Sequence, residues 1–535
     1  MSLKTNRYKK HIRGFVFALA FIILLSACSG GGNTSSTPPE ASNPPSSSSE
    51  ENKEPLKISI IAYPASGMMP LDGTKTQKLL EERFNVKFEV LPVDASQPEK
   101  FNLYWAQGET ADVIMAFGGS YTALVDQGLF REISTEQLYK NMPVWMQKIE
   151  SLVGDPELVK TLIPYKGKLY SIPFTHGPLM ESGIMIARKD WMNKLGIEKQ
   201  PENLEEFEAL LKAFTEDDPD GNNKKDTYGI HGGQRYHFNY VWGAYGLMPK
   251  TYTQQNGSIT YTSILPQYKE ALKLIQKWYK AGYIDPEFVT DDRTQQRNKW
   301  SEGKFGILAD NAFWMDSTRG ENGVLTMLEM KNSAAQFEFL QPFKGPDGNK
   351  GSYIDFPTLN GDGAIYFGKD ASDEVVAKMM EIKETLASDW ELYKQVYFGT
   401  EGADYTADAN GKLKISPDLN IEKINKAGIA QTFSLMPITM DWMKNTMNER
   451  DELVHSQGLE QPKVFNGMDF AVSNINEVQE KKETDVVKIV DEYYINAITG
   501  KVDIDATWDS YVESVNKSGL REILAKFESL YKESK

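Results

Sequence analysis

The hydrophobic pattern changes character at about residue 55. Before it, Phe15 to Leu25 is one unbroken run of apolar and small residues behind Lys4, Arg7, Lys9, Lys10 and Arg13. That run is too short to span a bilayer as a mature helix. Its layout predicts a secretory signal over residues 1–27. Residues 28–54 follow, rich in Gly, Ser, Pro and Thr. They cannot bury enough apolar surface to fold, and predict a flexible linker. Beyond residue 55 short apolar runs alternate with periodic ones. "LKISIIAY" reads as a buried strand, "TQKLLEERF" as a helix, and "VKFEVLPV" and "ADVIMAF" as strands. In "NLEEFEALLKAF", Leu204, Phe207, Leu210, Leu211 and Phe214 recur at helical spacing. "YKEALKLIQKWYKAG" is a second amphipathic helix that stops near Gly282. "KFGILAD" is a strand and "ASDEVVAKMMEIKETLAS" a helix, and from about Asn474 the pattern is mostly helical. There is no internal repeat. Strands alternating with helices predict an α/β layered fold.

Composition adds partners and place. With 535 residues, 40% of them hydrophobic and 11% aromatic, the chain is long enough for two or three domains with real cores. Removing the five cations of residues 1–27 takes the formal charge from −16 to −21. That disfavours nucleic acid, whose binding runs on phosphate neutralisation. Anionic headgroups would repel the folded body as well. Cys28 is the sole cysteine, so no disulfide forms within the chain. It follows Leu25-Ser26-Ala27, and this junction resembles the lipobox of bacterial lipoproteins. The resemblance implies cleavage before Cys28 and lipidation (palmitate) of that residue. The body would then be tethered at the extracellular face of the cell membrane.

The order of segments carries a second resemblance. "WAQGETADVIMAFG", "VDQGLFREIS", "GKLYSIPF", "IMIARKDWMNKLGIEKQPENLEEFEALLKAF", "EGKFGILADNAFW" and "YFGTEGADYTADANGKL" run in that sequence. Together they resemble bacterial extracellular solute-binding lipoproteins of ABC importers, above all the large carbohydrate-binding, family 1-like group of Gram-positive bacteria. The resemblance covers residues 55 to 535. It implies an α/β, two-lobe periplasmic-binding-protein-like fold with a hinge and an interlobe ligand cleft, and no catalysis. Lobe one is expected over 55–175 plus 335–395, and lobe two over 176–334 plus 396–535. The implied protein is a monomer that binds an oligosaccharide or sugar derivative and passes it to permease subunits. Closure around the ligand is the expected motion.

Two constellations could carry chemistry. "DPDGNNKKDTYG" sets Asp218, Asp220 and Asn222 at positions 1, 3 and 5 of an EF-hand-like loop, with the Lys224 carbonyl at 7 and Asp226 at 9. Asn223 stands where glycine is usual, and an αL-tolerant asparagine suits that place. Gly229 replaces the bidentate glutamate at position 12. In the resembled family, calcium loops of this kind place an acid directly after the last aspartate. Here Thr227 stands there and offers only a neutral oxygen. The expectation is one structural Ca²⁺, away from the ligand. The alternative is a plain solvated turn, which these residues also favour.

The second constellation is aromatic. A sugar offers an apolar C–H face to Trp or Tyr and a hydroxyl rim to Asp, Asn, Arg or Gln. The cleft candidates are Trp242 and Tyr245 in "NYVWGAYG", and Phe313 and Trp314 beside Asp310 and Asn311 after "KFGILAD". Trp442 in "LMPITMDWM", Tyr63, Phe117 and His176 join them. Ligand clefts in α/β folds lie at the carboxyl ends of strands, which suits the Asp310 group. Core packing is the competing reading for each aromatic, and Trp191 and Trp278 on amphipathic helices belong to it. Arg235, Arg319, Asp355 and Asp362 are further polar candidates, and a uronate ligand would want an arginine. His231 and His237 are six apart, poor spacing for a zinc pair on one helix face. No GxSxG, P-loop or HExxH occurs. The remaining alternatives are a surface-anchored polysaccharide-degrading enzyme, or the same fold binding peptide or acting as a sensor.

Overall fold

The computed structural model describes residues 54–533 except 63–70, 94–97, 116–120, 154–155, 163–164, 166, 176–181, 234–236, 256, 317–322, 353–358, 360–362, 417, 430–432, 434–436 and 463–476. β1 (Leu56–Ile61), α1 (Lys75–Phe84) and β2 (Val86–Leu91) form a βαβ unit with the two strands parallel. α1 starts where the Thr74 side chain accepts from the Gln77 N–H, and stops at Asn85, whose φ of 50° is left-handed. β3 (Val113–Met115), α2 (Pro143–Val153) and β4 (Ser171–Ile172) follow. β5 (Gly183–Arg188) then opens a second sheet.

In that sheet α3 (Leu204–Glu216) is capped by the Asn203 side chain and buries the five apolar residues of its periodic stripe. β6 (Tyr228–His231), α4 (Asn239–Ala244), α5 (Pro266–Lys280) and β7 (Ile284–Asp285) come next. α6 (Arg293–Ser301) begins with a reciprocal Asp292–Gln295 capping box. β8 (Phe305–Asn311), buried along its whole length, runs into the short α7 (Ala312–Met315), and β9 (Phe337–Phe339) ends the set.

β10 (Ile365–Phe367) returns to the first sheet. α8 (Asp373–Ser388), α9 (Trp390–Tyr397), a hairpin of Tyr405–Ala407 with Leu413–Ile415, and α10 (Met440–Lys444) follow it. α11 (Glu449–Glu460), α12 (Glu477–Ile498), α13 (Ile504–Val515) and α14 (Arg521–Glu533) complete the chain.

The first sheet has the order β2-β1-β3-β10-β4 and the second β9-β5-β8-β6-β7. Each is covered on both faces, and the two-residue strand period decides which side chain goes where. In β5, Met185 and Ala187 enter one core while Ile184 and Ile186 enter another. In β10, Ile365 and Phe367 go one way and Tyr366 the other. That explains why these strands read as continuous apolar runs.

Packing moves the expected divisions between lobes. Leu340 and Phe343 belong to the second-sheet core, so the chain stays there past residue 335. Val396, Phe398, Tyr405, Leu413 and Phe433 belong to the first-sheet core, so the chain stays there past residue 396. α9 packs on α8 and the hairpin's Tyr405 meets Phe398 beyond α9, and periodicity alone does not say which of two cores takes a helix. The chain therefore passes between the sheets three times: between Ile172 and Gly183, between Phe343 and Ile365, and between Phe433 and Val454.

The passages meet at one end of the second sheet. Asn311, the last residue of β8, pairs with Gly183, the first of β5. The Ala312 N–H donates to the Ser182 carbonyl at 3.0 Å, and the Ser352 N–H to the Pro462 carbonyl at 2.8 Å. Gly458 is needed here: a Cβ would come within 2.9 Å of the Ser182 Cβ. β6 runs parallel to β8, so its end, His231, faces the same junction. The opposite end holds Arg188 and the 218–227 loop that leads into Tyr228.

Candidate functional site

The junction end of the second sheet gathers charge. Asp310, 1% exposed, accepts Arg297 Nε at 2.6 Å on one carboxylate oxygen and Arg293 on the other. Arg293 and Arg297 are four apart on α6 and so project from one face. The Arg297 guanidinium lies 4.0 Å from the centre of the Trp314 ring. That is a cation–π contact with the ring half-buried beyond the strand end. Phe313 meets Trp314 edge-on at 5.4 Å and packs against Leu152 of α2 and Met443 and Met447 near α10. The α7 turn thus touches elements whose remaining contacts lie in the first lobe.

A second cation–aromatic pair lies against the first-sheet core. The Lys148 ammonium sits 4.1 Å from the centre of the half-buried Trp442 ring. Burial pushes the Lys148 pKa down, against a smaller upward pull from Asp441. Trp442 stands edge-on to Trp390 at 5.0 Å and tilted to Tyr393 at 5.0 Å. Each of these two tryptophans is thus backed by a cation, and Phe313 beside the one packs with Met443 beside the other.

A second polar knot lies deeper. His231 Nε2 is 3.1 Å from Asp291, and Lys299 bridges Asp291 at 2.5 Å, Asp285 at 3.4 Å and Glu287. Burial above all lowers the His231 pKa, only partly offset by Asp291. Burial alone would depress the Lys299 amine, but Asp291 and Glu287 hold it well above its ordinary value. His231, Asp285 and Asp291 place ligand atoms within 4.8 Å of one another, the spacing a metal would need. Lys299 already fills the cation's role there, so the residues do not call for an ion.

Several sequence candidates sit elsewhere. Trp242 is fully buried, with its ring 5.5 Å from Tyr268 and 6.4 Å from both Phe238 and Tyr494. It is a core residue and offers no platform. α4 is buried along its whole length, and Gly243 is pressed so close to Gly351 that a Cβ would lie 2.0 Å from its carbonyl oxygen. Tyr245 is half-buried, its hydroxyl pushed up to about 12 by burial first. It lines a cavity of about 100 Å³ with Thr253, Gln267 and Asn349, away from Trp314. Asp310 anchors arginines and has no open oxygen edge, and Asn311 is buried beside it. Trp191 and Trp278 are core residues. Cys28, Tyr63, Phe117 and His176, with Arg235, Arg319, Asp355 and Asp362, lie outside the described residues. Sequence reading missed Arg293, Arg297, Lys148 and Trp390. The i,i+4 arginines directly after the capping signal "DD" were the available clue.

The acidic loop folds as its residue types demand. Asp218, Gly221 and Asn223 have φ of 51°, 77° and 59°. Asp218 accepts the N–H groups of Gly221, Asn222 and Asn223 at 3.0–3.1 Å. The Asn222 amide reaches Asp220 at 2.7 Å and Asp226 at 3.0 Å. Slight desolvation raises the Asp218 pKa, but the Asn223 N–H, the Asp220 side chain and Lys194 together bring it below its ordinary value. Thr227 is buried and donates its hydroxyl to the Phe214 carbonyl at 2.9 Å, so it serves the end of α3. Asp218, Asp220, Asn222 and Asp226 supply side-chain oxygens, and Lys224 can add a carbonyl. The donor set fits a hard cation, with Asn222 the residue placed between carboxylates. Amide N and O are assigned by hydrogen bonding, so a cation would turn that oxygen inward.

Comparison with known proteins agrees with this architecture. Residues 70–378 match the family described as bacterial extracellular solute-binding protein. The lipoprotein LipO of Bacillus subtilis (strain 168) is 27% identical over 89% of this chain and 93% of its own. The polygalacturonan/rhamnogalacturonan-binding protein YtcQ of the same organism is 24% identical over 86% and 88%. The fructooligosaccharide ABC transporter substrate-binding protein FusA of Streptococcus pneumoniae serotype 4 is 23% identical over 88% and 89%. Among solved structures, an HMO-binding, ABC-transporter-associated solute-binding protein of Bifidobacterium longum infantis matches with a TM-score of 0.67. It is 18% identical, over 90% of this chain and 99% of that one. The alginate-binding protein AlgQ2, solved without calcium ion, matches at 0.63 with 18% identity over 90% and 99%. At these identities the structures speak to the fold.

Proposed function

The chain belongs to the bacterial extracellular solute-binding proteins, and from that premise we propose that it captures an oligosaccharide or sugar derivative between its lobes for an ABC importer. The observation that carries this is the pair of half-buried tryptophans at the junction. Trp314 of the second lobe is backed by Arg297, and Trp442 on the first-lobe side by Lys148. Flat apolar faces with polar groups around them suit a sugar ring and its hydroxyls. Three passages between the lobes make a hinge. Closure is driven by contacts that the ligand makes with both lobes at once, since a ligand shifts an equilibrium only by its differential affinity. The relatives named for polygalacturonan, rhamnogalacturonan and fructooligosaccharide support a carbohydrate as cargo.

Cys28 would carry the lipid and residues 29–54 the tether, holding a monomer at the outer face of the membrane beside its permease. Among the described residues no helix is long and apolar enough to cross a membrane. The 218–227 loop would hold one Ca²⁺ through Asp218, Asp220, Asn222, the Lys224 carbonyl and Asp226. The ion would tie α3 to β6 at the end of the sheet remote from the junction. We assign no catalytic step: Asp310 is held by Arg293 and Arg297, Asp285 and Asp291 by Lys299, and Asp316 is paired with the buried His455. Isothermal titration of the protein against oligosaccharides, peptides and amino acids tests the reading. Saturable 1:1 heat with a sugar and none with peptides is expected. Turnover of a polysaccharide, or binding confined to peptides, would overturn it.

A further inference from the structure

A cavity of about 510 Å³ opens at the end of the second sheet remote from the junction. That volume falls within the roughly 300–1,000 Å³ of small-molecule sites. Arg188, the last residue of β5, lines it and is 4% exposed. Its guanidinium is fixed on two sides. Nε and Nη2 donate to the two oxygens of Asp190 at 2.9 and 2.6 Å, and the central carbon lies 4.9 Å from the centre of the Trp191 ring. The third nitrogen, Nη1, has no hydrogen-bond partner among the described residues. Gly303, also on the wall, keeps it uncovered. A Cβ there would come 3.3 Å from Nη1 and 3.6 Å from Trp191, and a φ of 78° favours glycine as well.

The remaining polar groups of the wall differ in what they still need. Glu302 accepts Lys331 Nζ at 2.6 Å. Asp220 has one oxygen on the Asn222 N–H at 3.2 Å and the other on the Asn222 amide at 2.7 Å. Lys194 Nζ, 3.3 Å from the Asp218 carbonyl, brings a cation to that loop. Each carboxylate at the cavity, and Asp190 behind Arg188, therefore already holds a donor. The donors are less committed. Lys331 meets only Glu302 and keeps two further N–H groups. Asn332 spends its oxygen on the Ala334 N–H at 3.2 Å, and its amide nitrogen has no acceptor among the described residues. Unmet donors call for an acceptor-rich ligand. A planar carboxylate is best met by the parallel N–H groups of a guanidinium fork, and Asp190 has taken that fork. Single nitrogens on separate side chains suit the diverging oxygens of a tetrahedral oxyanion, for which lysine serves as a point charge. The cavity has room for more than a bare ion.

We propose that this cavity is a second ligand site, for a phosphate or sulfate ester of a small molecule, with the oxyanion held by Arg188 Nη1, Lys331 and Asn332. It is separate from the sugar between the lobes. β5 runs from Gly183, which pairs with Asn311 at the junction, to Arg188 at the opposite end, so the two ligands bind at once.

Calorimetry on the full chain in detergent tests this with glycerol phosphate, inorganic phosphate and inorganic sulfate, beside glycerate and glycerol. Saturable 1:1 binding of glycerol phosphate is expected, with glycerate at least about tenfold weaker. The order of phosphate and sulfate tells which ester the site prefers. Lys331→Met changes an exposed rim residue and should weaken glycerol phosphate roughly tenfold at an unchanged melting temperature. Arg188→Met should abolish binding; if it also loosens the fold, Lys331→Met carries the test. Glycerate binding as well as glycerol phosphate would overturn the proposal, as would no binding of either or an affinity indifferent to Lys331→Met. A glycerol phosphate affinity that falls with Trp314→Ala would place the ester between the lobes and overturn the second site.

Discussion

Lys383 is a buried amine whose removal should strengthen the fold. It lies on α8, 1% exposed, and donates to the Phe433 carbonyl at 2.9 Å. Burial lowers its pKa from 10.5 to about 7. In the unfolded chain the amine binds a proton below 10.5, while in the folded chain it does so only below about 7. Folding therefore carries a penalty that is complete below pH 7, shrinks as pH rises, and is gone above 10.5. At 1.36 kcal/mol for each pH unit, the drop from 10.5 to about 7 amounts to about 5 kcal/mol. Lys383→Met removes that penalty and keeps most of the packing, but loses the hydrogen bond to the Phe433 carbonyl, worth about 1 kcal/mol. The variant should then be about 3–4 kcal/mol more stable at pH 6.5. The advantage should shrink by pH 9.5 and reverse near 10.5. Urea unfolding followed by far-ultraviolet circular dichroism at several pH values measures this. Equal stability at pH 6.5, or parallel pH curves for the two proteins, would refute the reasoning.

Four further outcomes follow from the same structure. Trp314→Ala and Trp442→Ala should each weaken sugar binding at least about tenfold in calorimetry, as anchoring aromatics do. Trp242→Ala should instead cost about 3–5 kcal/mol of stability, read by denaturant midpoint; a Trp242 variant of normal stability would contradict its place in the core. Chelation with EDTA should lower the melting temperature. At a free Ca²⁺ concentration a hundredfold above its Kd, mass action is worth about 2.7 kcal/mol, and Asp218→Asn should abolish the response. Asp310→Ala should destabilise by about 3–5 kcal/mol, because it leaves the buried Arg297 guanidinium without its counter-charge, and thermal scanning would detect it.

Legibility in the sequence followed the range of each signal. The strand of Leu56–Ile61 and the stripe of Leu204–Glu216 are local periodicities, and both formed as read. The strand "KFGILAD" was also legible, and with it the place of Trp314 at a strand's carboxyl end. Trp242 was not, because a tryptophan followed by glycine looks the same whether the glycine opens a turn or lets Gly351 come close. The function of Asp310 was hidden for a similar reason. Its partners Arg293 and Arg297 are near in sequence, but they meet it only because α6 packs along β8. The lobe divisions depended on which core accepts α9, a long-range choice that alternation of elements does not encode. The loop of Asp218 to Thr227 was readable as a loop, since Asx residues and glycine fix their own turns. The turn of the Thr227 hydroxyl toward Phe214 was not.

A crystal structure of the protein with a bound oligosaccharide would test the account most directly. One sugar should lie between the lobes, a ring within about 4 Å of Trp314 or Trp442, with the two sheets closer than in the sugar-free protein. A sugar seated outside the junction, or lobes that do not move when it binds, would contradict it.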